Sequence, residues 1–175
     1  SADENVTLGQ LITTGSVTIT STAAGVVDGG STGGTDIQAG AVTIDAKTGV
    51  GSGDAIETTI TSLDLDNDTS GNVEIAETNA LNIIKIDQDG SGTVNVTAGG
   101  TITITGPVTA TTGNVVLDAN GGASSIVVNA AVTTDDGNGG TANGGDISLL
   151  ADDDVTFAAA GDVTSDGGNV TVTAD

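Results

Sequence analysis

The sequence predicts an all-β fold, a parallel β-helix or β-solenoid, and three observations carry the prediction. A short anchor of Gly, one polar or small residue, then aliphatic-x-aliphatic recurs as GSVTI at Gly15, GAVTI at Gly40, GNVEI at Gly71 and GTVNV at Gly92. It returns as GNVVL at Gly113, GDISL at Gly145 and GNVTV at Gly168. In the cleanest stretch the period is about 21 residues, the signature of a solenoid whose units bury their apolar face only by stacking. Between anchors the aliphatics come in short alternating runs, a strand pattern that sends one residue in and the next out. Finally, the chain carries 28 glycines and a single Phe among its 175 residues, so corners are plentiful and the core must be aliphatic.

Taken in order, Asn5–Leu8 and Leu11–Thr14 read as second and third strands leading into a first strand at Gly15. Val17, Val42, Val73, Val94, Val115, Ile147 and Val170 are then the first inward residues of seven successive coils. The coil from Gly92 resolves into three short strands, with Val94 and Val96, then Ile102 and Ile104, then Val108 facing inward. The same triplet is legible as Val115/Leu117, Ile126/Val128, Val132 and as Ile147/Leu149, Val155/Phe157, Val163. Where anchors lie farther apart, the surplus residues are turn-formers, and segments 29–36, 47–54 and 135–145 read as loop insertions at corners. Pro107, the only proline, precedes a short third strand, where a missing donor is most easily tolerated. No 3.6-residue pattern is long enough for a helix. About eight coils at ~4.8 Å each make a rod on the order of 40 Å long. Two tandem immunoglobulin-like sandwiches fit less well, because the anchor recurs about every 21 residues instead of once per domain.

The whole chain, 1–175, is expected to be one continuous solenoid with open ends. Val170–Asp175 is a complete strand, and tail joined to head reads like the internal repeat, so both ends are expected in phase and available to flanking coils or to copies stacked end to end. The chain opens on Ser1, which suggests a processed or excised piece.

Composition excludes several classes of function. Lys47 and Lys85 are the only basic residues against 24 acidic ones, and the net charge of −22 repels nucleic acid and acidic membrane surfaces. With 36% hydrophobic residues in strand-like patterns, this charge does not signal disorder. Cysteine is absent, which removes disulfides and thiolate chemistry. No apolar run approaches the ~18 residues of a helical membrane span.

For ligands, the sequence points to calcium. Asp64, Asp66 and Asp68 alternate, and Asp87 and Asp89 follow with Gly90, so that carboxylates two residues apart in turns could converge on a hard cation. Neither stretch is a complete EF-hand loop, and solvated corners are the plainer reading. No cofactor is required. A polysaccharide-active enzyme is disfavoured, because its chemistry needs basic residues and this chain has neither Arg nor His; Asp152–Asp154, the one dense acidic run, reads as a solvated corner. Ice binding needs a uniform threonine ladder, and the outward column Thr18, Thr43, Glu74, Asn95, Val116, Ser148, Thr171 is mixed. Asn72, Asn114 and Asn169 follow corner glycines and suggest a structural amide ladder, while Asn5, Asn67, Asn95 and Asn169 begin N-x-Thr sequons.

The segment GDISLLADDDVTFAAAGDVTSDGGNVTVTA, Gly145 to Ala174, and the related coils from Gly71 resemble the repeats of filamentous-hemagglutinin-like adhesins, the large exoproteins of bacterial two-partner secretion. That resemblance implies a right-handed parallel β-helix on the bacterial cell surface or in the medium, acting as a stalk or adhesin. The function expected is therefore non-enzymatic, extracellular and structural: the shaft of a surface adhesin or a subunit of a stacked fibre. The alternative is a calcium-dependent or surface-binding module. Its partners are expected to be further coils or copies of itself, with a host-surface or matrix ligand left open, and with no nucleic acid and no membrane insertion.

Overall fold

Val115, Leu117 and Ala119 are buried while Val116 and Asp118 between them are partly exposed, and this alternation builds the molecule. The computed structural model describes residues 4–30, 33–135 and 144–175, which form a parallel β-solenoid of about eight turns with roughly 21 residues per coil. Coil 1 carries β1 (Val6–Leu8), β2 (Leu11–Ile12) and β3 (Val17–Ser21); coil 2 carries β4 (Val26–Asp28), β5 (Ile37–Gln38) and β6 (Ala41–Ala46). Coil 3 holds β7 (Ile56–Thr59) and β8 (Ser62–Asn67), and coil 4 holds β9 (Val73–Glu77) and β10 (Leu81–Gln88). Coil 5 runs through β11 (Val94–Ala98), β12 (Ile102–Ile104) and β13 (Val108–Ala110), and coil 6 through β14 (Val115–Ala119), β15 (Ile126–Val128) and β16 (Val132–Thr134). Coil 7 has β17 (Ile147–Ala151), β18 (Val155–Phe157) and β19 (Val163–Ser165), and β20 (Val170–Ala174) begins an eighth.

Among the described residues every strand pairing is parallel. An eight-stranded sheet runs β2-β5-β7-β9-β11-β14-β17-β20, and a ten-stranded sheet collects the remaining long strands and the split pairs of coils 5 to 7. The short pair β1-β4 joins the line of β9 through isolated bridges from Val26 to Val50 and from Val50 to Val73. Inward aliphatics from coils 1 to 7 form one continuous buried cluster.

The eight-coil period is as expected, but the phase of its first third differs. Val17 and Val42 pair with each other and then with Leu63, on the ten-stranded sheet, not with Val73. The column that leads to Val73 begins with Val6, Val26 and Val50. The anchor motif marks the start of a long strand on either sheet, since both need a corner glycine followed by alternation. Segment 47–54 is accordingly not one loop: Val50 is fully buried in the core, and only the turn around Gly51–Asp54 leaves the coil. Asn5–Leu8 is likewise a first-column strand, so the two ends are not in the phase that the sequence suggests. β4 ends at Asp28 and β5 begins at Ile37, while part of 29–36 and most of 135–145 lie outside the described residues.

Three strands per coil also needs one refinement. In coils 1 and 2 the break falls between strands of the β1/β2 kind, and in coils 5 to 7 it falls between strands of the β12/β13 kind. Coil 4 has no such break: β10 is one eight-residue strand, bulged where Ile84 is the extra residue between Ile83 and Lys85. Immediately above the bulge lies the Gly106–Pro107 corner, where a Cβ on residue 106 would come 1.8 Å from the Ile84 carbonyl oxygen. Pro107 thus falls where the ladder is already interrupted.

Buried polar side chains fasten the corners. Asn67, 1% exposed, donates to the carbonyls of Ser70 and Gly71 at 3.1 Å each and accepts the Gly49 N–H at 2.7 Å. Gln88 donates to the Gly71 carbonyl at 2.6 Å. Burial of Asn67 closes its sequon to any transferase in the folded chain.

Candidate functional site

Strand register brings the predicted calcium residues onto one face. Asp45, Asp66 and Asp87 occupy the same outward column of coils 2, 3 and 4, followed by Thr109, Thr133 and Thr164. Adjacent columns hold Thr43, Asp64 and Lys85 on one side. On the other side Asp68 and Asp89 follow directly after β8 and β10, each hydrogen-bonded through its backbone N–H to the coil below, at 3.0 and 3.1 Å. Sequence reading missed Asp45, because its acidity is isolated along the chain and joins the others only across coils.

Both lysines of the chain sit in this face. Lys85 Nζ lies 2.6 Å from the Asp66 carboxylate and 3.9 Å from Asp64, and Lys47 Nζ lies 3.0 Å from Asp68. The hydrogen bond to Asp66 holds the Lys85 ammonium above its ordinary range, against the opposing effect of its partial burial. Asp89 is pushed up, chiefly by the negative charge of Asp87 and then by burial. Asp87 in turn accepts a hydrogen bond from the Thr109 hydroxyl.

Asp64 and Asp66 belong to a strand, not to a turn. Among the described residues no group of three acidic side chains is placed to hold a metal ion. Six carboxylates and two ammonium groups instead form a charged lattice, partly neutralised from within.

The Asp152–Asp154 run is an exposed corner that braces coil 6: Gly122 N–H donates to Asp152 Oδ2 at 2.7 Å, and Ser125 Oγ donates to Asp153 Oδ2 at 3.3 Å. The asparagine ladder exists in a different form. Each side-chain oxygen accepts a backbone N–H from the next coil: Asn72 from Thr93 at 3.0 Å, Asn114 from Asp146 at 2.8 Å, and Asp146 from Asn169 at 2.7 Å. Thr18 and Thr43 leave the column proposed for them and stand below Asp64.

Glu77 is the acid that departs most from the pattern, because it occupies an inward position after Val73 and Ile75 and is 4% exposed. Its Oε2 accepts from Thr58 Oγ1 at 2.7 Å and from the Ile60 N–H at 2.9 Å, and its Oε1 from the Asn79 N–H at 2.9 Å. Burial raises its pKa, and these donors oppose the rise. An acidic residue on the inward phase of a strand was the signal for it.

Comparison with protein-family models, curated proteins and solved structures gives no match. The fold is compatible with β-helical repeat exoproteins and with a structural or adhesin-like module.

Proposed function

We propose that this chain is a non-enzymatic, extracellular structural module, a length of shaft from a bacterial surface adhesin of the filamentous-hemagglutinin-like kind. One observation carries the reading. The inward aliphatics of coils 1 to 7 form one continuous buried cluster, and parallel strand pairing ties each coil to the next. Stacking energy in a solenoid comes from neighbours, which makes length itself the product.

To test the extracellular shaft, antibody against the purified chain is applied to intact source cells before and after protease shaving. Surface labelling lost on shaving is expected; labelling only after lysis overturns the proposal.

A second reading, a calcium-dependent surface module, draws on the excess of carboxylates over ammonium groups on coils 2 to 4. Under the shaft reading, chelation of divalent cations leaves the melting temperature unchanged within about 1 °C, since less than ~0.5 kcal/mol is at stake. A fall of several degrees, restored by calcium alone, would favour the second reading.

A further inference from the structure

Two inward columns of coils 2 to 5 are nearly interchangeable from coil to coil. Val42, Leu63, Ile83 and Ile104 succeed one another in the first, and Ile44, Leu65, Ile86 and Val108 in the second. A slip of one residue along β10 would bring Lys85 opposite Leu65 and turn its charge into the core, which forbids it. A slip by a whole coil meets no such obstacle in these columns, because one aliphatic would replace another.

The third inward column tells the coils apart. It reads Ala46, Asn67, Gln88 and Ala110, and both amides are buried. Asn67 Nδ2 donates to Gln88 Oε1, and Gln88 Nε2 donates to the Gly71 carbonyl at 2.6 Å. The remaining bonds of Asn67, to Ser70, Gly71 and Gly49, tie the pair to the backbone of the corner.

We propose that Asn67 and Gln88 form a register lock, a buried amide pair that selects the stacking of coil 4 on coil 3 over stackings that skip a coil. Either skip removes one amide's counterpart. With coil 4 on coil 2, Gln88 would face Ala46; with coil 5 on coil 3, Asn67 would face Ala110. An alanine methyl neither donates nor accepts, so the amide would lose its partner and keep its desolvation cost. Buried polar pairs discriminate registers in this way because the matched pairing alone satisfies both members.

The chain has no cysteine, so a pair introduced on the outward face reports which coils are neighbours. Asp45 and Asp87 occupy one outward column two rungs apart, about 9.6 Å, beyond the ~7 Å between Cα atoms that a disulfide spans. Skipping coil 3 would make them adjacent. The full chain carrying Asp45→Cys and Asp87→Cys is refolded from urea in a glutathione redox buffer, with and without Asn67→Ala and Gln88→Ala, and the disulfide is quantified by non-reducing peptide mapping. The lock requires the cross-linked fraction to rise about tenfold when both amides are removed. Leu65→Ala weakens the same rung without touching the amides and should leave the fraction at the parent level. An unchanged fraction in the amide-free chain overturns the proposal, since the pair then only adds stability, and so does an equal rise in Leu65→Ala. If the amide-free chain shows no cooperative urea transition, Gln88→Ala alone is read in the same way, and the absence of a rise there overturns the lock.

Discussion

Replacing Gly113 with Ala should destabilise the chain by more than about 4 kcal/mol, enough to abolish the cooperative urea transition of the native fold. A Cβ at this corner would stand 1.7 Å from the Gly92 carbonyl oxygen of the coil below. Successive corners repeat the contact, with 2.1 Å from Gly92 to Gly71, 2.2 Å from Gly145 to Gly113 and 2.3 Å from Gly168 to Gly145. Close approach of backbone to backbone, and not a left-handed conformation, is what requires glycine at Gly113. The control is Gly15→Ala, which changes an identical motif position. There the nearest atom to a new Cβ is Thr13 Oγ1 at 3.6 Å, so stability should stay within about 0.5 kcal/mol of the parent. If both variants unfold at the same urea concentration, the tight stacking of the corners is wrong.

The second large effect separates two adjacent leucines. Leu149 has no exposed surface and stacks between Leu117 and Val172, whereas Leu150 points outward between Asp118 and Thr173. Leu149→Ala removes buried methyl groups and leaves a cavity in a core that cannot collapse without shifting the coils on either side, costing about 2–5 kcal/mol. Leu150→Ala should cost less than about 1 kcal/mol, since that side chain is partly exposed and lies outside the core. Denaturant titration of the two variants reads the inward phase of β17 directly. A larger loss for Leu150→Ala would place the strand one residue out of register.

Alternation and glycine spacing carried the solenoid, its period and the strands of coils 5 to 7, because there each anchor falls on the same sheet. They failed in coils 1 to 3 for a physical reason. Val17 and Val42 satisfy the motif as fully as Val73 does, and nothing local to five residues says which sheet a strand will join. Val50 was hidden among turn-formers because a single isolated bridge, without a flanking alternation, leaves no periodic trace. The acidic face was half legible: Asp64, Asp66 and Asp68 stood out along the chain, but Asp45 and the two lysines join them only through register. Asn67 and Gln88 lie 21 positions apart, and their contact is one coil of register that no local pattern reports.

The direction of the intercoil hydrogen bonds decides how the molecule answers a pull. Because every ladder is parallel and lies across the rod, its bonds point along the axis, and tension applied at the ends loads one rung at a time instead of shearing many together. A rung that yields releases a whole coil, and roughly 21 residues extend to about 70 Å where the folded coil had occupied about 4.8 Å. A solenoid built this way lengthens stepwise under load, giving up one coil at a time while the remaining coils stay wound.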